Sequence, residues 1–328
     1  MRSSTASKPE GGRLFALSVA LVFALAAVSL FVGKYPLTIS GILTEGVEQR
    51  VFLRMRLPRM LVGLFGGFAL GAAGYVFQTV FKNPLAAPDM IGVTSGASVG
   101  AAAAILFASS ALVVTVSAFV GAVAALLLTA AISSLIPHKD RAGVVLAGVA
   151  VHAIAQTAIV VLKLEADPER ELASIEYWMM GGLNGVSPKS LSALLPIAAV
   201  GSLVCLLFFR QILLLAMDDT ESRMLGVPVE RMRWFLLLVA SLMVASVISV
   251  TGLISFVSLL GAHLARMIIR RDSRVTLAQS GLCGAFLLLL GDMLARTVGT
   301  SELPVSIFTS LIGAPFLVYL LIGRKRHV

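Results

Sequence analysis

Apolar residues fall in long runs along this chain, with polar residues gathered in the gaps between them. The runs cover 14–32, 57–81, 91–109, 111–135, 143–162, 190–209, 234–253, 255–269, 275–298 and 304–323. A hydrocarbon layer of about 30 Å takes about 20 helical residues per crossing. The pattern therefore predicts an all-α polytopic membrane protein of about ten transmembrane helices. The first run follows Arg2, Lys8 and Arg13, and its Ala24-Leu25-Ala26 mimics a signal-peptidase site. Because the run continues to Val32, too long for a signal core, an uncleaved first helix is expected.

Ten crossings return the chain to the side on which it starts. With the N-terminus inside, 17 of the 26 Lys and Arg and 8 of the 17 Asp and Glu lie inside, so the whole net charge of +9 falls on that side. This obeys the positive-inside rule and predicts cytoplasmic termini. Composition then closes off other classes. At 58% hydrophobic, 13% charged and a mean hydropathy of +0.96, the chain is no soluble enzyme domain, since soluble chains carry about 25% charged residues. The pI of about 10.1 expresses orientation rather than nucleic-acid binding, because no basic run is interleaved with aromatics. Cys205 and Cys283 sit in apolar runs without CxxC or Cys/His spacing, so neither a disulfide framework nor a zinc site is indicated.

The organisation is a single transmembrane domain over 1–328, with a cytoplasmic tail at 1–12 and two substantial gaps. The outer gap, 163–189, is acidic at first and ends in Tyr177-Trp-Met-Met-Gly-Gly182, which suits a short interfacial helix. The inner gap, 210–233, reads as helix, turn, helix. Asp218 and Asp219 favour a helix N-terminus, Gly226 can end that helix, and Pro228 suits the first turn of the next.

Several polar groups lie inside the apolar runs. Gly63, Gly67 and Gly71 form a small-xxx-small ladder, which packing accounts for better than a pore. Gly148, His152 and Gln156 share one helical face, where they either line a pathway or bridge helices. Asp292 and Arg296, four residues apart, are placed to form a structural ion pair. Arg54, Arg56 and Arg59 flank the outer start of the second run against the charge trend, which points to an acidic partner or to lipid headgroups. The chain has no GxxxxGK[ST], HExxH or GxSxG sequence, so it is expected to be a transport subunit and not an enzyme. An ion-coupled secondary transporter using Asp292 and His152 is the alternative.

An ordered set of motifs narrows this further. Arg56-Leu-Pro-Arg59, Phe77-Gln78, Asn83-Pro-Leu-Ala86, Pro88-Asp89, Gly92-Val-Thr-Ser-Gly96, Tyr177-Trp-Met-Met-Gly-Gly182, Leu225-Gly-Val227, His263-Leu-Ala-Arg266, Asp292, Ala295-Arg296, Glu302-Leu-Pro304 and Gly313-Ala-Pro315 follow one another in the chain. In this order they resemble the BtuC-like (FecCD) permeases, the membrane subunits of type II ABC importers for ferric siderophores, haem and cobalamin. The resemblance runs from about residue 50 onward and looks like that of a full-length member. One departure is Leu260-Gly-Ala-His263, where the family usually has a proline just before the histidine; glycine permits the bend that proline imposes.

The resemblance implies a homodimer in a bacterial inner membrane with the translocation path on its axis. It implies two ABC ATPase subunits docked on the inner hairpin, making Asp218, Asp219, Glu221, Arg223, Leu225 and Gly226 the coupling residues. ATP and Mg belong to those subunits, and no cofactor is bound by this chain. An extracytoplasmic substrate-binding protein is expected to meet Arg56, Arg59 and Arg296. Gln78, Asn83, His152 and Gln156 are the pathway candidates. Membrane lipid is the remaining partner, and nucleic acid is not one. Ferric siderophore is the first-ranked cargo, with haem and cobalamin behind it. Spans two to five and seven to ten are expected to form an inverted repeat.

Overall fold

The computed structural model describes residues 8–108, 110–136, 141–299 and 301–324. Arg2, Lys139, Lys325 and Arg326 of the charge count, and 1–7 of the 1–12 tail, lie outside the described residues. The helices are α1 (Lys8–Phe31), α2 (Ile39–Leu43), α3 (Val47–Val80), α4 (Val93–Phe107), α5 (Ala111–Leu135), α6 (Arg141–Glu165), α7 (Glu171–Met180), α8 (Pro188–Leu207), α9 (Phe209–Ala216), α10 (Asp219–Met224), α11 (Val229–Thr251), α12 (Val257–Ile269), α13 (Arg274–Thr297) and α14 (Val305–Arg324). Seven of them, α1, α3, α5, α6, α8, α11 and α13, are long and apolar enough to cross a membrane. The apolar helices α4, α12 and α14 are shorter. Together these ten occupy the ten predicted runs, and the chain is an all-helical polytopic membrane protein.

Three boundaries differ from the pattern, and charge explains two of them. The second crossing starts at Val47, well before 57, and carries π-helical stretches at Phe52–Arg56 and Val62–Gly66. The first stretch lies just ahead of Pro58, which has no N–H to give to a regular ladder. The arginines that seemed to end the apolar run instead lie within the helix. Likewise α11 begins at Val229, so Glu230, Arg231 and Arg233 belong to the crossing and not to a separate second helix of the hairpin. The first half of the 210–233 gap is itself an amphipathic helix, α9.

Elsewhere the α3 helix is the hub, packing against α8, α11, α12 and α13, while α4, α5 and α6 pack on one another and α1 lies outside against α13. Lipid is as apolar as leucine, so small residues that let backbones approach hold such helices together. A Cβ on Gly67 would lie 2.7 Å from the Ala285 Cα, and one on Gly71 would lie 2.1 Å from the Ser280 carbonyl. Ser280 also donates its hydroxyl to the Gly71 carbonyl at 2.6 Å. The ladder is thus a packing device. Gly261 joins the same contact, 3.1 Å from the Gly71 Cα by its would-be Cβ, and α12 runs unbroken through it.

On the far side from the hairpin, the Trp-Met-Met-Gly-Gly segment forms a backbone crossing. Gly181 (φ 68°) and Gly252 (φ 70°) face each other across the strandless junction between α7 and α11. A Cβ on Gly181 would strike the Leu253 carbonyl at 1.9 Å. The Gly182 N–H donates to Thr251 O at 2.7 Å, and the Val305 N–H to Gly181 O at 3.1 Å. This junction breaks the chain ahead of α12 and leaves that helix 13 residues long.

Candidate functional site

A cavity of about 330 Å³ lies where the short helices α4 and α12 begin. Its polar wall comprises Asp89, Thr94, Ser95 and Ser98, then His152 and Gln156 from α6, then Ser255 and Ser258 beside α12. Leu70, Val244, Ile248 and Phe256 supply apolar wall. Two short or interrupted apolar segments meeting at one hollow is the arrangement that marks transport sites in repeat-built transporters. Ser95 and Ser98 donate to the carbonyls of Gly92 and Thr94, each at 3.0 Å. His152 Nε2 stands 3.5 Å from Gln156 Nε2, and His152 Nδ1 has no hydrogen-bond partner among the described residues. Gln156 is solvent-accessible although it lines the cavity, so the cavity opens on that side. Asp89, the one carboxylate among the described lining residues, is exposed in the turn after α3.

Gln78 and Asn83 lie elsewhere. Gln78 is buried; its Nε2 donates to Leu259 O at 3.0 Å and its Oε1 accepts from Arg266 at 2.5 Å. The same guanidinium lies 4.6 Å over the Tyr75 ring and donates to Thr79 Oγ1 at 2.9 Å, while Tyr75 donates to Asp272 at 2.8 Å. Gln78 therefore ties α3 to α12 and is not part of the cavity wall. Asn83 accepts the Leu85 N–H at 2.9 Å in an Asx turn that reverses the chain after α3.

The hairpin is a short, well-capped projection. The Asp218 carboxylate accepts the Thr220 N–H at 2.9 Å. That bond, chiefly, with the Lys82 and Arg141 charges, holds this carboxyl below the usual carboxylate range. Ser222 donates to Leu214 O at 2.6 Å and Asp218 O at 2.9 Å, which folds α10 back on α9. Gly226 ends the helix at φ 79°, where a side chain would be strained. Glu221, Arg223 and Gly226 are exposed, and beside them Met224 and Leu225 are 81% and 58% exposed. Asp219 does not face outward in the same way: it binds Arg141 and, at 2.6 Å, Arg233.

The three arginines expected to meet a docking protein are buried instead. Arg56, Arg59 and Arg296 are 8%, 8% and 3% exposed. Arg59 pairs with Asp292 at 2.7 Å and Glu302 at 2.8 Å, and Arg296 pairs with Asp292 at 3.1 Å. Arg296 also donates to Ser29 and Val32 carbonyls, and Arg56 to Val32 and Tyr35 carbonyls. The predicted Asp292 and Arg296 pair exists, but inside a four-residue network that staples α1, α3 and α13. These cations have acidic and carbonyl partners within the chain. Asp292 is not among the residues that line the cavity beside His152.

Arg141, Arg233 and Asp272 entered the sequence picture through the charge count alone, and Arg266 and Glu302 through the motif set, none with a role of its own. Their signal was position. Arg233 and Arg266 lie within helices near an end, where a cation needs a specific partner.

Comparison with known proteins agrees with this geometry. The profile of the FecCD transport family matches residues 20–323. The cobalamin import system permease protein BtuC of Halobacterium salinarum is 40% identical, with 83% of this chain and 73% of that protein covered. The hemin transport system permease protein HmuU of Yersinia pestis is 34% identical over 87% of this chain and 86% of its own length. The molybdate permease MolB of Haemophilus influenzae is 32% identical, covering 95% and 96%. A solved structure of a metal-chelate type ABC transporter in an inward-facing conformation superposes with a TM-score of 0.88 at 30% identity, covering 95% of this chain and 99% of that one. With an ordered motif set, a profile matching residues 20–323 and a superposable solved structure, this chain belongs to the FecCD transport family.

Proposed function

We propose that this chain is the membrane-spanning permease subunit of an ATP-driven importer that carries a bulky metal chelate inward. The single observation that carries the proposal is the braced hairpin: a capped six-residue helix presenting exposed Met224 and Leu225 at its tip. Exposed apolar residues on a rigid, polar projection are what a docked partner would cover. The partner is a pair of ABC ATPase subunits that hold ATP and Mg, and the coupling residues are Asp218, Glu221, Arg223, Leu225 and Gly226. In this assembly the chain works as a homodimer, the second copy closing the open side of the cavity beside His152 and Gln156. The membrane is a bacterial inner membrane, with both termini and the hairpin cytoplasmic.

A substrate-binding protein docks on the opposite face. Because Arg56, Arg59 and Arg296 are occupied internally, exposed Arg50, Arg54 and Arg170 take over that role. Reversing Arg50 and Arg54 to Glu is expected to weaken docking about tenfold, more at low salt than at 0.5 M, where screening is strong. Surface plasmon resonance against the binding protein checks this, and unchanged affinity in both salts returns the two arginines to lipid contact.

For the cargo, ferric siderophore stays first on the resemblance to the family. The name of the Halobacterium salinarum relative, at 40% identity, favours cobalamin as the second arm.

The test is assembly. Met224→Asp with Leu225→Asp is expected to abolish co-purification of the ATPase subunits while the permease remains monodisperse in detergent. An assembled, fully active complex of the double variant would remove the hairpin from the interface and the proposal with it.

A further inference from the structure

Asp219 occupies an unusual place for a residue on a docking helix. One carboxylate oxygen binds Arg141, the first residue of α6, and the other accepts from Arg233 of α11 at 2.6 Å. Arg141 reaches on from there. Its Nε donates at 2.9 Å to Val80 O, at the end of α3, and an Nη donates at 3.4 Å to Leu215 O, at the end of α9. Both carbonyls belong to last helical turns, which lack partners within their own helices, so one guanidinium caps two helix ends and holds a third helix by its acid. Arg233 is buried, with a side chain 3% exposed. Lys82 stands close enough for its charge to be felt by the same group. Several cations are thus gathered on one carboxylate.

We propose that Asp219 and Arg141 form the strut that carries movement of the hairpin into the cavity wall, with Arg233 as its fixed end. This rests on the importer proposal and assigns roles within it. Asp219 is a positioning residue facing the membrane helices, not the ATPase. When α10 is displaced, Arg141 moves with it, and Arg141 starts the same helix that carries His152 and Gln156. His152 lies eleven residues along α6, about 16 Å at 1.5 Å per residue. A helix of that length transmits displacement of its end to the cavity. The ends of α3 and α9, tied to the same guanidinium, move or resist together with it. A static brace would share this geometry, so the test must read coupling and not only stability.

The experiment compares Asp219→Asn, Asp219→Glu and Arg141→Gln in the purified complex with its own ATPase subunits and binding protein, in liposomes, using whichever of cyanocobalamin, haemin or a ferric hydroxamate the unmodified complex accumulates. Asp219→Asn and Arg141→Gln are expected to co-purify normally with the ATPase subunits yet raise the ATP hydrolysed per cargo about tenfold, within the range of ordinary allosteric coupling. Asp219→Glu, which keeps the charge, is expected to stay within twofold of the unmodified ratio. A second readout needs no cargo. Spin labels at Thr220→Cys and Ala142→Cys should keep their separation between nucleotide-free and vanadate-trapped states when Asp219 is present, and change it in Asp219→Asn. An unchanged ATP-to-cargo ratio with unchanged label distances would overturn the strut, as would loss of ATPase subunits from Asp219→Asn, which would make Asp219 a docking residue. Uptake by the unmodified chain that ignores ATP would overturn the importer proposal itself, and is distinguished by that control.

Discussion

Asp292→Ala should destabilise the chain by about 3–5 kcal/mol, the cost of stripping the partner from buried charges. Asp292 is fully buried and holds Arg59 at 2.7 Å and Arg296 at 3.1 Å. Removing it leaves two guanidinium groups in an apolar layer; Arg59 keeps Glu302, and Arg296 keeps, among the described residues, the neutral oxygens of Ser29 and Val32. Such charges cannot move to water without pulling α1 and α13 apart. The measurement is thermal unfolding in detergent together with the yield of monodisperse protein. Replacing the set together, Asp292→Leu with Arg59→Met and Arg296→Met, should recover most of the loss, because apolar substitutes of similar volume often match a buried ion network. A melting curve for Asp292→Ala that overlays the unmodified chain would show that the network contributes nothing.

Gly71→Val is expected to be the most damaging change in the packing of the hub. The added Cβ would fall 2.1 Å from the Ser280 carbonyl and 3.2 Å from the Gly281 Cα, both backbone atoms that cannot rotate away. The α3 and α13 helices must separate, which breaks the 2.6 Å bond from Ser280 to the Gly71 carbonyl and opens the neighbouring contact at Gly261. Overpacking usually costs about 1–3 kcal/mol, and loss of a close helix crossing adds to it, so little folded protein is expected. Gly63→Ala is the control. Its Cβ would meet the Leu289 Cδ2 at 2.8 Å, the far end of a flexible side chain, and a small shift relieves it. Comparable yields of the two variants would mean that the ladder does not set the crossing distance.

These outcomes bear on what a sequence can disclose. Ten apolar helices were visible because each is an apolar run, and the hairpin because Asp218, Gly226 and Pro228 punctuate it. Charge misled twice. Arg54 to Arg59 and Glu230 to Arg233 appeared to end helices that in fact continue, since their partners lie hundreds of residues or a whole helix away: Arg59 bonds a residue 233 positions on, and Arg233 one 14 positions back. Local pattern carries no trace of such pairs. The pathway candidates divided for the same reason. His152 and Gln156 share a face and reach the cavity together, whereas Gln78 is turned toward Leu259 and Arg266, two contacts that only the packed bundle creates. The Trp-Met-Met-Gly-Gly motif had its meaning hidden too. Gly181 matters because the Leu253 backbone approaches it, a fact of tertiary structure.

The most direct test of the importer account is uptake by the reconstituted complex under two driving forces. The chain is placed in liposomes with its ATPase subunits and loaded binding protein, and accumulation of ferric hydroxamate, cyanocobalamin or haemin is followed with ATP and no ion gradient, then with a proton or sodium gradient and no ATP. The account predicts accumulation of one cargo with ATP alone, and hydrolysis that rises when the loaded binding protein is added. Accumulation driven by the ion gradient and indifferent to ATP would contradict it.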